Sequence, residues 1–494
     1  MKLRRLFLLQ LTALLLCLAG TPTMGFADSI AGKKPNIIFI LTDDQGYGDV
    51  SAHGNPILKT PNMDRLHREG VRFTDFHVSP TCAPTRSALL TGRHEFKNGI
   101  THTIHERERL ALEAVTLPEL LKSAGYVSGI FGKWHLGDED AYQPEKRGFD
   151  EVFIHGGGGI GQHYKGSCGD APGNTYFSPI LKHNGAFVKT QGYCTDVFFS
   201  QALQWIDSVR QKGPFYVHIA TNVPHSPLQV RDEDLALYQD KVPKLDTAKF
   251  FGMLHNADEN IGKLLQKLSD WGIEKNTLVV FMNDNGGTAG CATFNAGMRG
   301  TKGTPYLGGT RANSFWRWPG TLQPADVSKL TAHVDFLPTL VELAGVPLSG
   351  KAAQQVEGRS LVPLLQNPEA EWPTRTLITH VGRWNQGAPP ESGKYANCSV
   401  RTPRYHLVSA GKKAAAQPDW ELFDLQSDFA ESTNIATQQP AIVAEMASAF
   451  EKWWESARPL MVNESAEGPA ENPFWTLYRK QFGSLPAGVS DSQK

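Results

Sequence analysis

The chain has 494 residues, of which 40% are hydrophobic and 20% charged, and its formal net charge is -1. This composition excludes a disordered chain, and the near-neutral balance excludes the broad basic field of a dedicated DNA or RNA binder. The length suffices for one large domain with a filled core plus a smaller one, and 47 Gly with 31 Pro suit a loop-rich α/β protein.

The chain opens with Lys2, Arg4 and Arg5, followed by an apolar run over residues 6–18 and small residues around Gly25 and Ala27. The run is short for a membrane span, and the pattern predicts a signal peptide over residues 1–27. The protein is therefore expected to be exported, to the periplasm or outside the cell. No other stretch is long and apolar enough to span a membrane. Export permits disulfides. Loss of Cys17 with the signal leaves Cys82, Cys168, Cys194, Cys291 and Cys398, an odd number. The other four can pair in three ways, of which Cys168 with Cys194 would close a plausible loop, and Cys82 is expected to stay unpaired because of its neighbours.

Residues 35–42 read as a buried strand running into Asp43-Asp44. Thr60-Pro61 opens a short helix that Gly70 stops, and Thr116 with Pro118 opens another that Gly125 stops. Between them, Pro84 can begin a helix toward Thr91. That places Cys82 near a helix N-terminus, where anions and thiolates are favoured, with Arg86 close by. Residues 126–131 form a short strand before Gly132-Lys133-Trp134-His135. Alternation beyond that strand points Lys133 and His135 to one side and turns Trp134 into the core. Residues 139–195 are glycine-rich without clean periodicity and read as an elaborated loop region walling a pocket.

Residues 214–220 form another strand, leading to Asn222-Val223-Pro224-His225. Leu254, Ala257, Ile261, Leu264, Leu265 and Leu268 recur at helical spacing over residues 250–268. Residues 277–282 are again a strand, ending in Asp284-Asn285. From residue 370, three short strands and a helix over residues 440–454 indicate a second unit. The alternation predicts an α/β fold: a large, mostly parallel mixed sheet flanked by helices over residues 28–369, with a smaller α+β domain over 370–494. Asp43-Asp44, Lys133 with His135, His225 and Asp284-Asn285 all follow strands. Open α/β sheets place their sites beyond such carboxyl ends.

The segment Cys82-Ala83-Pro84-Thr85-Arg86, with Thr91-Gly92-Arg93 downstream, resembles the signature of the type I sulfatases. In that family a separate maturation enzyme oxidises the cysteine to formylglycine. Thr85 stands where serine is commoner; Cys82, Pro84, Arg86, Thr91, Gly92 and Arg93 match. Residues 60–66 and 421–425 extend the resemblance over residues 35–435.

The resemblance implies an alkaline phosphatase-like fold and one divalent cation held by Asp43, Asp44, Asp284, Asn285 and an oxygen of modified Cys82. An oxygen-rich set suits Ca²⁺ or Mg²⁺, and irregular carboxylate and amide coordination favours Ca²⁺. It also implies that Lys133, Arg86 and Lys302 face the sulfate oxygens. His135 would handle the formylglycine hydroxyl, and His225 would protonate the departing oxygen. The implied reaction is hydrolysis of a sulfated carbohydrate or aryl sulfate through formylglycine hydrate and a covalent sulfate ester. A phosphodiester or phosphonate monoester hydrolase of the same fold, or a glycan-binding homologue with an inactive pocket, are the alternatives. His94, His155, His163, Arg383 and Trp384 are candidate sugar contacts. Oligomeric state leaves no mark in the sequence.

Overall fold

The strand Asn36–Thr42, NIIFILT, is buried at every residue. Ile37, Phe39 and Leu41 pack into one core and Ile38 and Ile40 into another, because successive side chains of a strand point to opposite faces. The same split recurs in Thr277–Asn283, where Leu278, Val280 and Met282 face the first core and Val279 and Phe281 the second. The sheet is therefore a middle layer between two apolar layers of helices. The computed structural model describes residues 29–411, 417–486 and 489. The expected signal peptide lies outside them. Among the described residues no helix is long and apolar enough to cross a membrane.

In chain order the strands are β1 (Asn36–Thr42), β2 (Val71–Phe73), β3 (Phe76–His77), β4 (Val127–Lys133), β5 (Glu151–His155), β6 (Ile180–His183), β7 (Ala186–Lys189) and β8 (Phe215–Ala220). They continue with β9 (Thr277–Asn283), β10 (Ser314–Arg317), β11 (Ala325–Val327), β12 (Thr331–Ala332), β13 (Leu377–His380), β14 (Cys398–Arg401), β15 (Tyr405–Ser409) and β16 (Glu421–Asp424). The large sheet has the order β11-β2-β10-β9-β1-β8-β4-β5-β6-β7. Its centre, β9-β1-β8-β4-β5, is parallel throughout, and β10, β6 and β7 add antiparallel pairs at the flanks. The mixed, mostly parallel sheet expected from the alternation is present.

The expected loop region over residues 139–195 is corrected. It contributes β5, which pairs with β4, and the β6–β7 hairpin at the sheet edge. The two hairpin strands have four residues each and carry Lys182, His183 and Lys189, so their alternation is too short to register as a period.

The expected disulfide is also corrected: all five described cysteines are free thiols. Cys194 opens the helix Cys194–Val209 in the second core, with its sulfur 3.9 Å from Thr195 Oγ1. Cys168 is buried in another neighbourhood, beside Gly158 and near the carboxyl groups of Glu108 and Asp138.

The smaller unit is an antiparallel sheet, β13-β14-β15-β16. Met446, Phe450 and Trp454 of the helix Pro440–Ala457 lie at helical spacing and share its core with Val400, Leu407 and Leu422. The chain then turns back. Helix Pro473–Phe482 packs Phe474 and Tyr478 against Phe187 of β7, and the Gln481 amide exchanges hydrogen bonds with the Phe187 backbone. Asn472, at the start of this helix, donates to the Asp138 carboxylate at 2.9 Å, just beyond the segment that carries His135. Phe474→Ala is expected to destabilise the protein by about 3–5 kcal/mol, as for other fully buried aromatic truncations. A thermal or urea unfolding curve checks it, and an unchanged midpoint would deny that this helix is part of the main core.

Candidate active site

Four neighbouring strand ends build the site. Asp43 and Asp44 follow β1, Asp284 and Asn285 follow β9, His225 follows β8, and Lys133 is the last residue of β4. Because β9, β1, β8 and β4 are adjacent and parallel, these groups reach the same edge. The backbone locks them in register: Asp43 N–H donates to Val223 O and Asp284 N–H to Thr42 O, at 3.1 and 3.0 Å.

The helix Cys82–Thr91 is buried along its whole length. Cys82 is its first residue, and Arg86 lies one turn on, on the same face. Arg86 donates to Asp284 Oδ2 at 2.7 Å and to the Lys133 carbonyl at 3.4 Å. Lys302 comes from a loop tied to the residue pair before the helix, since Gly303 N–H donates to Pro80 O at 2.9 Å. Its Nζ sits 3.4 Å from Cys82 Sγ and 2.5 Å from Asp44 Oδ1. Lys133 Nζ donates to Asp43 Oδ2 at 2.7 Å. Three buried carboxylates thus face three cations.

The ionisation follows from this crowding. Burial raises the Asp44 carboxyl, but the charges of Lys302 and His225 outweigh it and hold it well below the usual carboxylate range. Burial together with the neighbouring charge of Asp43 pushes Asp284 up to about 6. Burial lowers Lys302, yet Asp44 and Cys82 more than reverse this, so it keeps its proton. The Cys82 thiol is pushed up by burial, and Lys133 and Lys302 only partly offset that. The favour expected from the helix N-terminus is overcome by desolvation, so the unmodified thiol is neutral and a poor nucleophile.

His135 Nε2–H donates to the Thr103 carbonyl at 2.8 Å, leaving a buried, unpartnered Nδ1 as acceptor. Burial and the Lys133 charge hold its pKa well below the ordinary value. His225 Nδ1–H donates to Ser226 O at 2.6 Å, and its Nε2 lies 3.9 Å from Asp44 Oδ2. Burial lowers it to about 4 against the opposing effect of Asp44. Both imidazoles therefore enter as neutral acceptors.

Asp43, Asp44, Cys82 and His225 each bring one donor atom within 4.8 Å of the others. The Asp44 N–H donates to Asp284 Oδ1 at 3.2 Å and Asn285 Nδ2 donates to Asp44 Oδ1 at 3.0 Å, which joins the β9 end to the group. Asp43 Oδ1 and Asn285 Oδ1 are buried and lack any hydrogen-bond partner. Unsatisfied buried oxygens beside clustered carboxylates fit a hard divalent cation, which would supply the missing partner. The cluster is a divalent-cation site in its donor chemistry.

The comparisons with known proteins agree with this geometry. The family model described as Sulfatase matches residues 35–346, more than half of the chain, and N-sulphoglucosamine sulphohydrolase, C-terminal matches residues 306–455. The chain belongs to the sulfatase family. Its signature and fold place it in the type I, formylglycine-dependent branch of the alkaline phosphatase-like superfamily. This sulfatase is an enzyme that hydrolyses sulfuric esters. It is 35% identical to Arylsulfatase J of Mus musculus over 90% of this chain and 80% of that protein. It is 33% identical to N-acetylgalactosamine-6-sulfatase of Homo sapiens over 69% of this chain and 67% of that one. The structure of Ps i-CgsB in complex with k-i-k-neocarrahexaose superposes with a TM-score of 0.73 at 28% identity, covering 91% of this chain and 97% of that chain.

Of the candidate sugar contacts, His94, His155 and Trp384 are buried among aromatic neighbours of the sulfatase, against Trp453, Phe198 and Phe96 respectively. His163 packs on Trp475. Arg383 is exposed and reaches Thr103.

Two features of the site were not singled out from the sequence. Asp44 and His135 both adopt left-handed backbone, with φ of 69° and 60°. Such conformations in non-glycine residues persist only where the surroundings enforce them. The run Gly156-Gly157-Gly158-Gly159 lies against the two histidines, and its composition was the available signal. A Cβ at Gly159 would stand 2.7 Å from Ser226 O and 2.9 Å from His225 Nδ1. Gly159→Ala is therefore expected to displace His225 and lower kcat at least about tenfold, a fraction of what a positioned acid or base supplies. Steady-state kinetics beside a circular dichroism spectrum checks it; full activity would show that the wall yields. Chelation should abolish activity and lower the thermal midpoint, and readdition should restore both, with about 2.7 kcal/mol of stabilisation at one hundred times Kd. Titrating Ca²⁺ and Mg²⁺ separately ranks the two ions, and a chelated enzyme that stays active and equally stable would remove the cation.

Proposed function

We propose that this sulfatase removes sulfate from a sulfated carbohydrate, with Cys82 acting after oxidation to formylglycine and Ca²⁺ as the favoured ion. The observation that carries the reading is the position of Cys82. It sits at the head of a buried helix, 3.4 Å from Lys302 Nζ, and in one cluster with Asp43, Asp44 and His225. The neutral thiol found there is a weak nucleophile, whereas a hydrated aldehyde in its place supplies one hydroxyl to attack and a second to expel sulfate. A carbohydrate substrate is supported by the sugar-bound Ps i-CgsB and by the sulphohydrolase match in the C-terminal part. Export, expected from residues 1–27, suits such a substrate.

Asp43, Asp44, Asp284 and Asn285 would hold the cation, which when bound lowers the pKa of an adjacent hydroxyl and polarises the sulfuryl group. With the carboxylates so engaged, Lys133, Lys302 and Arg86 present uncompensated positive charge to the sulfate oxygens. His135 Nδ1 is free to take the proton of the second hydroxyl, because Thr103 fixes its other nitrogen as the donor. His225 turns Nε2 toward the site, while the proton held in the cluster resides on Lys302. Lys302 is then the group placed to donate to the departing alcohol, with His225 Nε2 an acceptor near the other oxygen of Asp44.

The test uses protein co-expressed with a formylglycine-generating enzyme. The mass of the peptide containing residue 82 is expected to show conversion, and Cys82→Ala is expected to lower sulfate release on the order of 10³-fold or more. Unchanged sulfate release by Cys82→Ala would end the reading. Faster turnover of a phosphate diester or a phosphonate ester than of the matching sulfate would reassign the substrate.

A further inference from the structure

The two loops that carry the acidic residues of the cluster are joined by two side chains outside it. β9 ends in Asn283, and Asn313 immediately precedes β10, the antiparallel neighbour of β9. Both side chains are fully buried. The backbone N–H of Asn313 donates to Asn283 Oδ1 at 2.7 Å, and its Nδ2 donates to the same oxygen at 2.8 Å. That Nδ2 also donates to the Gly46 carbonyl at 3.3 Å, and Asn283 Nδ2 donates to the Asn285 carbonyl at 2.9 Å. An unbroken chain of amides therefore runs from the loop of Asp43 and Asp44 to the loop of Asp284 and Asn285. A backbone N–H can only donate, so Asn283 must offer it the oxygen and turn its nitrogen to Asn285. Asn313 in turn faces two oxygens and can meet them only with its nitrogen. The hydrogen bonds thus fix which way round each amide stands.

The two loops need such a tie. Asp43, Asp44 and Asp284 are buried carboxylates on one sheet edge, where like charges are poorly screened. Arg86 spans both loops, at 2.7 Å from Asp284 and 3.9 Å from Asp43, but it is also a charge that the sulfate oxygens call on. Two neutral amides hold the loops together without drawing on a cation and without adding a charge that competes with the ion. The first loop is braced within itself. Thr42 Oγ1 donates to Gln45 Oε1 and Gln45 Nε2 to the Asp49 carbonyl, both at 2.7 Å. The Gly46 N–H donates to Asp49 Oδ2 at 2.8 Å. These bonds fix Gly46, two residues beyond Asp44, and the amides carry that position across to Asn285. Asn313 Oδ1 is left buried without a partner. Folding alone disfavours that arrangement, so the amide is set by what its nitrogen holds.

We propose that Asn283 and Asn313 are positioning residues for the divalent cation. They fix the separation of Asp43 and Asp44 from Asp284 and Asn285, and so set the affinity of the site for its ion. The inference rests on the cation reading above and deepens it, by naming residues that hold no ion themselves. An ion shared by two loops loses affinity when the loops can part, because binding must then order them. Groups that hold ligands in place in this way typically contribute about 10–100-fold in metal affinity.

The experiment titrates the chelator-stripped full chain with Ca²⁺ and, separately, with Mg²⁺ in a calorimeter, and records the thermal midpoint of the ion-free protein. Asn313→Ala removes the bridge to Gly46, and Asn283→Ala removes the bridge to Asn285; serine replaces alanine at either position should the alanine variant fail to fold. Asn260→Ala is the control. It removes a buried amide on the helix Leu245–Asp270 that makes hydrogen bonds to Asp196 and Asn256. Each of the first two variants should weaken binding of the ion that the wild type prefers by about tenfold or more. The double variant should lose little beyond the worse single one, because either break severs the same chain. Asn260→Ala should lower the midpoint and keep the ion affinity within about twofold of wild type. Unchanged affinity in Asn313→Ala and Asn283→Ala overturns the proposal, even where their midpoints fall. An equal loss in Asn260→Ala also overturns it, since destabilisation alone would then suffice. Single losses that multiply in the double variant overturn the chain of amides. A wild type that takes up neither ion overturns the cation reading instead.

Discussion

The active site is a compact array of opposed charges taken out of water. Asp43, Lys133, Asp284 and Arg86 have side chains at most 2% exposed, and their contacts close into pairs at 2.7 Å. Buried charges of this kind are tolerated only while each has its counterpart, and removing one member typically costs about 3–5 kcal/mol. The array therefore constrains everything around it. Four strand ends must arrive in register, the helix Cys82–Thr91 must be buried to its tip, and the Lys302 loop must be tied to Pro80. The same balance makes the site responsive, since a dication held by the carboxylates would leave three cationic side chains available to an anionic substrate.

Electrostatics also gives a reason for the proposed conversion of the encoded thiol before it acts. A helix N-terminus and two lysines favour a thiolate at Cys82, yet complete burial opposes it more strongly. The proposed aldehyde hydrate at the same position would be uncharged and would avoid the desolvation penalty on the resting nucleophile. The cost of the arrangement appears in the backbone, where Asp44 and His135 are held in left-handed conformations immediately beyond strands.

The second unit of the fold contributes to the first. Its segment after β13 carries Arg383 to Thr103, and the last helix, Pro473–Phe482, returns to the edge of the large sheet. Asn472 at the head of that helix holds Asp138, so a segment more than three hundred residues away in sequence steadies the loop of His135. Packing therefore crosses the boundary expected near residue 370.

Local chemistry made much of this legible. Fully apolar runs gave the central strands, Pro and Gly marked helix starts and stops, and the spacing of Cys82, Pro84 and Arg86 pointed to the chemistry. Polar clusters after strands identified Asp43, Asp44, Lys133, His135, His225 and Asp284 as one neighbourhood, because topology alone carries parallel strand ends to one edge. The short β6–β7 hairpin escaped, since four-residue strands with polar edge positions leave no period. Whether Cys168 pairs with Cys194 was decided by which core each cysteine joins, and cysteine spacing is blind to that. The same holds for His94, His155 and Trp384, whose types suit sugar binding but whose burial among aromatic rings is a product of packing. By itself, then, the sequence determined the order of the elements and the identity of the reactive groups, because those depend on neighbours along the chain. Which groups are desolvated, which are strained and which remain exposed was decided by tertiary structure, because burial and charge pairing are properties of residues that meet only when the sheet is formed.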